Sequence, residues 1–136
     1  MLKKINHIAI AVNNIEEASK FYSNVLGLTL TGVEVVIAQK TKVGFFKIGE
    51  SNIELVQPAE PDSPLAKFLE TKGQGIHHIC FEVNDIETEM KAFFENGATM
   101  IDQKPRRGAH NTKVAFVHPK SSGGVLIELC ELPKES

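Results

Sequence analysis

Two histidines and two glutamates recur at matching places in this chain, and their side chains together suit a divalent metal ion. His7 and His78 lie 71 residues apart in closely similar segments. Glu54 and Glu128 lie 74 residues apart, each inside an Ile-Glu-Leu triplet. Two imidazoles and two carboxylates favour an ion of borderline hardness, such as Co²⁺, Mn²⁺, Ni²⁺ or Zn²⁺. The pattern therefore predicts one divalent ion per chain, bound by these four residues.

An architectural origin of the repeat is the alternative, because duplicated units often stack only to share a core. Each glutamate could also lie on the solvent-facing side of a half-exposed strand. Both glutamates, however, interrupt strongly apolar segments, Asn52 to Val56 and Val125 to Leu129, where an unpaired charge is costly. The recurrence of all four residues in register favours the metal site.

The repeat extends well beyond these four positions. The segment from Asn6 to Glu16 aligns with the segment from His77 to Glu87, with histidine, isoleucine, valine, asparagine, isoleucine and glutamate in common. Further along, Thr-Lys-Val and a phenylalanine recur, so that Phe45 matches Phe116. The chain is thus one structural unit written twice.

The hydrophobic periodicity predicts a β-α-β-β-β order in each copy. Alternating apolar residues indicate a first strand at 5–12, helical spacing indicates a helix from 15 to 26, and strands follow at 28–37, 42–48 and 52–57. The second copy predicts a strand at 77–83, a helix at 85–95, and strands near 98–102, 112–118 and 124–131. A short helix from Ser63 to about Thr71 joins them, with Pro64 at its first position.

This pattern predicts an α+β fold in which the two tandem units form one curved eight-stranded sheet with helices outside. We expect a single domain over residues 1–136, with unit one at about 1–58, a connector at about 59–75 and unit two at about 76–136. Because alternate side chains of a strand share a face, His7 points away from Ile8 and Ile10, and His78 does the same in its copy. His77 must point to the opposite face, where a partly buried structural histidine is the expected role.

Composition excludes several functional classes. The net charge of −2 and the absence of a long basic run argue against nucleic-acid binding. No apolar stretch approaches the ~20 residues of a membrane span. The first strand begins almost at once, without a signal segment, which predicts a cytoplasmic protein. Cys80 and Cys130 are expected to be buried thiols, since cytosolic disulfides are rare.

Several motifs resemble the vicinal-oxygen-chelate superfamily, and within it most closely the methylmalonyl-CoA epimerase family. They are Asn6 to Val12, Phe21-Tyr22, Leu26-Gly27, Ile53 to Leu55, Asp62 to Pro64 with Lys67 to Leu69, Gly75 to Cys80, Gly108 to His110, and His118 to Glu128. The segments Gly75 to Cys80 and His118 to Glu128 are the most specific. The resemblance spans nearly the whole chain.

The resemblance implies a metal-dependent epimerase that interconverts (2R)- and (2S)-methylmalonyl-CoA. The positions of His7, Glu54, His78 and Glu128 would bind the metal, which would stabilise an enolate as a Lewis acid. Glu128 would remove the α-proton. Family members that carry a second carboxylate base have it on the strand corresponding to 42–48, where this chain has none. Glu54 or a water molecule is the substitute expected from the sequence.

An acyl-CoA substrate also requires cationic contacts for its phosphates. Basic residues cluster in the second copy, and the expected substrate-binding residues are Arg106, Arg107, His110 and Lys120. Each of them could instead be an ordinary exposed residue. The family resemblance further implies a homodimer.

Two other functions remain open at the level of sequence. Glyoxalase I, a lactoylglutathione lyase, uses the same four ligand types, but it fits the segments from Gly75 and from His118 less well. A non-enzymatic small-molecule-binding protein of the same fold need not retain four metal ligands.

Overall fold

The computed structural model describes residues 1–134 and has an α+β fold built on an eight-stranded sheet. The strands are β1 (Leu2–Ala11), β2 (Leu30–Val36), β3 (Thr41–Ile48), β4 (Ser51–Pro58), β5 (Gly75–Val83), β6 (Arg106–Arg107), β7 (Lys113–Val117) and β8 (Ile127–Glu131). Their order in the sheet is β2-β3-β4-β1-β5-β8-β7-β6. The predicted α+β class and the eight-stranded sheet are confirmed.

The chain divides into two compact units. The N-terminal unit comprises residues 7–77, and the C-terminal unit comprises residues 1–6 together with the chain from His78 onwards. The first six residues belong to the C-terminal unit. The side-chain amide of Asn6 donates to Glu82 Oε1 at 3.0 Å, and Lys3 Nζ lies 3.4 Å from Glu82 Oε2. Glu135 and Ser136, the end of the predicted second unit, lie outside the described residues.

In the N-terminal unit, β4 lies between β1 and β3. It pairs in parallel with residues 7–11 of β1 and antiparallel with β3, and β3 pairs antiparallel with β2. Helix α1 (Ile15–Lys20) begins at Asn14, whose side chain accepts a hydrogen bond from the Glu17 amide, and continues into a π-helical turn (Phe21–Val25). Helix α2 (Pro64–Lys72) has Ser63 as its N-cap and Gly73 as its C-cap, where φ is +77°.

The C-terminal unit repeats this arrangement with shorter outer strands. Strand β8 pairs in parallel with β5 and antiparallel with β7, and β7 pairs antiparallel with β6. Helix α3 (Ile86–Glu95) begins at Asp85, whose side chain accepts from the Thr88 amide. That backbone hydrogen bond lowers the pKa of Asp85, because it stabilises the carboxylate form.

Each helix is attached to its sheet at equivalent places of the two copies. Ile15 packs with Val12, Phe46 and Leu55, and Ile86 packs in the matching cluster of Val83, Val117 and Leu129. The Ile15 amide donates to Gln57 Oε1 at 2.8 Å, and the Ile86 amide donates to Glu131 Oε1 at 2.9 Å. Since the first amides of a helix lack partners within the helix, these side chains satisfy groups that burial would otherwise leave unpaired.

The strand predicted over 98–102 is wrong. Only Met100 forms a bridge there, with Val117, and the outermost strand is the two-residue β6. The Phe116 amide donates to Asp102 Oδ2 at 2.8 Å, so a side chain takes the place of a main-chain carbonyl and interrupts the ladder. The last strand also begins later than predicted, at Ile127, because a turn through Gly123 and Gly124 with positive φ precedes it.

Candidate metal centre

The N-terminal unit buries a histidine against a glutamate. His7 lies on β1 and Glu54 on β4, where Glu54 pairs with Ala9, so that His7 and Glu54 share one face of the sheet. The His7 Nδ1 atom is 3.0 Å from Glu54 Oε2. Both residues are only 7 % exposed, although they are polar.

The C-terminal unit contains the equivalent pair. His78 lies on β5 and Glu128 on β8, where Glu128 pairs with Cys80. The His78 Nε2 atom is 2.9 Å from Glu128 Oε1, and the two residues are 7 % and 4 % exposed. The predicted histidines and glutamates therefore form two buried pairs, one in each copy of the repeat.

The donor chemistry of these pairs fits a divalent ion. Each pair offers an imidazole nitrogen and a carboxylate oxygen, and a divalent cation would compensate the charge of a carboxylate that burial removes from water. Removing a carboxylate from water is costly without such compensation. Imidazole nitrogen and carboxylate oxygen are ligands of Co²⁺, Mn²⁺, Ni²⁺ and Zn²⁺ alike, so the donor types select a class of ion and no single member.

A phenylalanine lies directly across the ladder from each glutamate. Phe45 pairs with Glu54, and Phe116 pairs with Glu128. The Phe116 ring also meets the His78 ring edge to face, with 5.4 Å between centroids and an interplanar angle of 88°. This geometry is favourable for aromatic rings and orients the imidazole beside Glu128.

Arg106 and Asp102 extend this arrangement outwards. The Arg106 guanidinium lies over the Phe116 ring, 5.9 Å from its centroid, and its Nε atom is 2.8 Å from Asp102 Oδ1. Phe116 and Asp102 were not among the residues predicted for the site. The recurrence of Phe45 and Phe116 in the repeat was the signal that could have pointed to the phenylalanine, whereas no local pattern pointed to Asp102.

Cys80 and Cys130 are buried thiols, as the sequence predicted. Cys80 is fully buried, and its Sγ atom lies within 4.8 Å of a carboxylate oxygen of Glu128. It occupies the place that Ala9 has in the first copy. The C-terminal pair thus has a soft, polarisable neighbour.

His77 is distinct from its neighbour His78. Its ring lies edge to face against Phe68 of helix α2, with 4.8 Å between centroids, and the residue is half-buried. The predicted partial burial of His77 is confirmed, and its structural role stays a prediction.

The four residues predicted to contact substrate are all exposed. Arg106 and Arg107 form strand β6, His110 lies in a short 3-10 turn with φ of +56°, and Lys120 lies in another turn after β7. The contacts of Arg106 lead to the His78–Glu128 pair through Phe116. A role of all four residues in substrate binding remains a prediction.

An open groove of about 620 Å³ in the N-terminal unit lies away from the His7–Glu54 pair. Ile10 of β1 and Val12, which follows the end of that strand, line it together with Phe21, Tyr22 and Gln74. Since Ile10 faces the opposite side of the strand from His7, this groove is not part of the candidate metal centre. In the described part of the chain, every helix is too short or too polar to cross a bilayer.

Comparison with known proteins identifies the family of the chain. Residues 6–116 match the model of the Glyoxalase/Bleomycin resistance protein/Dioxygenase superfamily. The mitochondrial methylmalonyl-CoA epimerase of Homo sapiens is 38% identical over 129 residues, which cover 94% of this chain and 73% of that protein. The ethylmalonyl-CoA/methylmalonyl-CoA epimerase of Cereibacter sphaeroides is 39% identical over 131 residues, which cover 95% of this chain and 98% of that protein.

The solved structures agree with these relatives. A variant of the Streptomyces coelicolor methylmalonyl-CoA epimerase, in complex with 2-nitronate-propionyl-CoA, superposes with a TM-score of 0.94 at 31% identity, covering 98% of this chain and 100% of that one. Sequence and fold thus lead to the same group of proteins over nearly the whole chain. The chain belongs to the glyoxalase/bleomycin resistance protein/dioxygenase superfamily and, within it, to the methylmalonyl-CoA epimerase family.

Proposed function

We propose that this chain is a metal-dependent epimerase that interconverts (2R)- and (2S)-methylmalonyl-CoA. One observation carries the proposal: each copy of the repeat buries a histidine against a glutamate, in a chain that belongs to an epimerase family. Two structural relatives were solved with acyl-CoA ligands. The Streptomyces coelicolor epimerase variant is in complex with 2-nitronate-propionyl-CoA, and another methylmalonyl-CoA epimerase is in complex with methylmalonyl-CoA and NH4+.

The ligands of the ion are His7, Glu54, His78 and Glu128. A bound divalent ion supplies Lewis-acid stabilisation for negative charge that develops on the thioester oxygen. The protein side contributes two imidazoles and two carboxylates that burial keeps out of bulk water. Phe116 packs against the His78 ring and limits its rotation, which keeps the imidazole nitrogen directed towards Glu128.

Glu128 is the base on one face of the substrate. Its carboxylate takes the α-proton, the C–H electron pair moves into the thioester, and an enolate forms. A proton returned to the opposite face of the α-carbon gives the other epimer. Among the residues proposed from the sequence, Glu54 is the candidate for that second step, as the equivalent of Glu128 in the first copy.

Recognition of the CoA portion is assigned to two arginines, a histidine and a lysine of the C-terminal unit. Arg106, Arg107, His110 and Lys120 are exposed and can reach phosphate groups. Arg106 is the best positioned of them, because Asp102 and Phe116 hold its guanidinium. Assembly as a homodimer and a cytoplasmic location complete the proposal, and light scattering of the purified protein would test the first of these.

Incubation in deuterated water tests the proposed reaction. Metal-loaded protein with (2R)-methylmalonyl-CoA should give the (2S) epimer with deuterium at the α-carbon, followed by NMR and chiral analysis. A parallel incubation with methylglyoxal and glutathione should give no lactoylglutathione. Isomerisation of the glutathione adduct without epimerisation would assign the chain to glyoxalase I chemistry, and inactivity with both substrates would favour a binding protein.

A further inference from the structure

Epimerisation needs a second acid–base group, and this inference rests on the proposed function. The proton that leaves one face of the α-carbon must be replaced from the other face, which one carboxylate cannot reach from a single position. Glu54 is already held against the His7 imidazole, at 3.0 Å, and is assigned to the metal. Glu128 is held against His78 in the same way, at 2.9 Å, so the two paired glutamates have equivalent positions in the two copies, and a carboxylate outside both pairs is the candidate for a different direction of approach.

Glu34 of strand β2 is such a carboxylate. It pairs with Val43 of β3, and Phe45, two residues further along β3, pairs with Glu54. Because alternate residues of a strand share a face, Val43, Phe45, Glu34 and Glu54 all lie on the face that bears His7. Two strand spacings separate the backbones of Glu34 and Glu54 sideways, about 10 Å, and the buried side chains of Val43 and Phe45 belong to the strand between them.

The polarity of β2 is the reverse of that expected for an outer strand. Val33 and Val35 are 47% and 51% exposed, whereas the carboxylate between them is half-buried on the face of the candidate metal centre. An inward-pointing charge also protects an edge strand from pairing with another chain. That explanation requires a charge but no reaction, so the two can be separated by experiment.

The C-terminal unit shows how far a side chain reaches from the equivalent position. Arg106 pairs with Val114, which matches Val43 in the repeat, so Arg106 corresponds to Glu34 by strand register. The Arg106 guanidinium lies over Phe116, the residue that pairs with Glu128. By this register, a side chain at the position of Glu34 lies on the same face as Phe45, the residue that pairs with Glu54.

We propose that Glu34 is the second acid–base residue of the epimerase. In one direction, Glu128 removes the α-proton and becomes a carboxylic acid, while the C–H electron pair moves onto the thioester oxygen as an enolate. Protonated Glu34 then donates its proton to the opposite face of the α-carbon, which forms the new C–H bond and leaves a carboxylate. Exchange of protons with water restores both residues, and in the reverse direction their roles are exchanged.

The test compares proton exchange with epimerisation in Glu34→Gln, starting from each epimer separately in deuterated water. We expect epimerisation to fall by ~10² or more, the usual scale for loss of a general acid or base. Exchange of the α-proton should persist with the epimer whose proton faces Glu128 and be lost with the other. Glu50→Gln, in the exposed turn between β3 and β4, is the matched control and should behave as wild type.

Each alternative outcome is distinct from failure of the proposed function. Wild-type protein that does not epimerise the substrate would reject the proposed function itself. The role of Glu34 would be rejected if Glu34→Gln epimerised the substrate at the wild-type rate. It would also be rejected if the variant lost exchange equally with both epimers while its metal content and circular dichroism spectrum were unchanged. The same measurement on Glu54→Gln would then show whether Glu54 serves the second face.

Discussion

The two units of this chain retain the same His–Glu pair but surround it differently. The positions that differ are Ala9 and Cys80, Glu34 and Arg106, Gly44 and Ala115, and Gln57 and Glu131. His7 presents Nδ1 to its glutamate, whereas His78 presents Nε2. Duplication thus conserved the His–Glu pair while the two copies acquired different neighbours.

The largest expected effect is loss of the metal ion when the histidine of either unit is replaced. His78→Ala and His7→Ala should each abolish stoichiometric binding of the divalent ion. Each variant removes an imidazole ligand and leaves the glutamate of that pair buried without its histidine. Elemental analysis after dialysis measures the metal content. His77→Ala is the control for the first variant, since His77 packs against Phe68 and should not affect the ion. Full occupancy in His78→Ala would reject the assigned site.

Removal of the carboxylate charge should separate the two glutamates. Glu128→Gln is expected to bind metal with reduced affinity and to lose turnover by ~10² or more, because an amide offers an oxygen but cannot accept the proton. Glu54→Gln should weaken metal binding and, at saturating metal, lower turnover much less. Steady-state kinetics at several metal concentrations measures the difference. Unchanged exchange and epimerisation in metal-loaded Glu128→Gln would leave Glu128 a ligand only.

The hydrogen bonds from the first helix amides to Gln57 and Glu131 can be compared by their effect on the free energy of unfolding. Glu131→Ala and Gln57→Ala should each lower the free energy of unfolding by about 1–3 kcal/mol, because each leaves a helix amide near the core without its acceptor. Glu131→Gln keeps the oxygen and should be close to wild type. Urea unfolding followed by circular dichroism measures all three. A loss in Glu131→Gln as large as in Glu131→Ala would mean that the charge of Glu131 matters more than its hydrogen bond.

The smallest expected effect concerns the residue under helix α1. Gly44 has the place of Ala115 in the second copy, and a Cβ atom added there would lie 3.0 Å from Ile15 Cγ2. Gly44→Ala should therefore destabilise the protein by about 1 kcal/mol, the low end of the cost of overpacking. Thermal unfolding measures the change. An increase in stability would indicate that Ile15 shifts readily and that the first copy tolerates the packing of the second.

Several features could be predicted because they depend on short-range patterns. The caps at Asn14, Ser63 and Asp85 follow from residue types beside apolar periodicity, and the structure begins its helices there. The strand predicted over 98–102 is absent although apolar and polar residues alternate there. The Asp102 side chain instead accepts a hydrogen bond from the Phe116 amide, 14 residues away in the sequence. Local propensity contains no information about such a contact.

Four properties of this protein could be inferred from its amino-acid sequence alone: the duplication, the α+β class, the burial of both cysteines, and the choice of His7, Glu54, His78 and Glu128 as candidate ligands. These follow from residue type, periodicity and recurrence along the chain. The fold was needed to show that Phe116 meets His78, that Asp102 contacts Arg106 above that ring, and that Glu34 shares a face with Glu54. The physical reason is that strand register and side-chain packing join residues far apart in the chain, so which neighbours meet depends on the whole sheet.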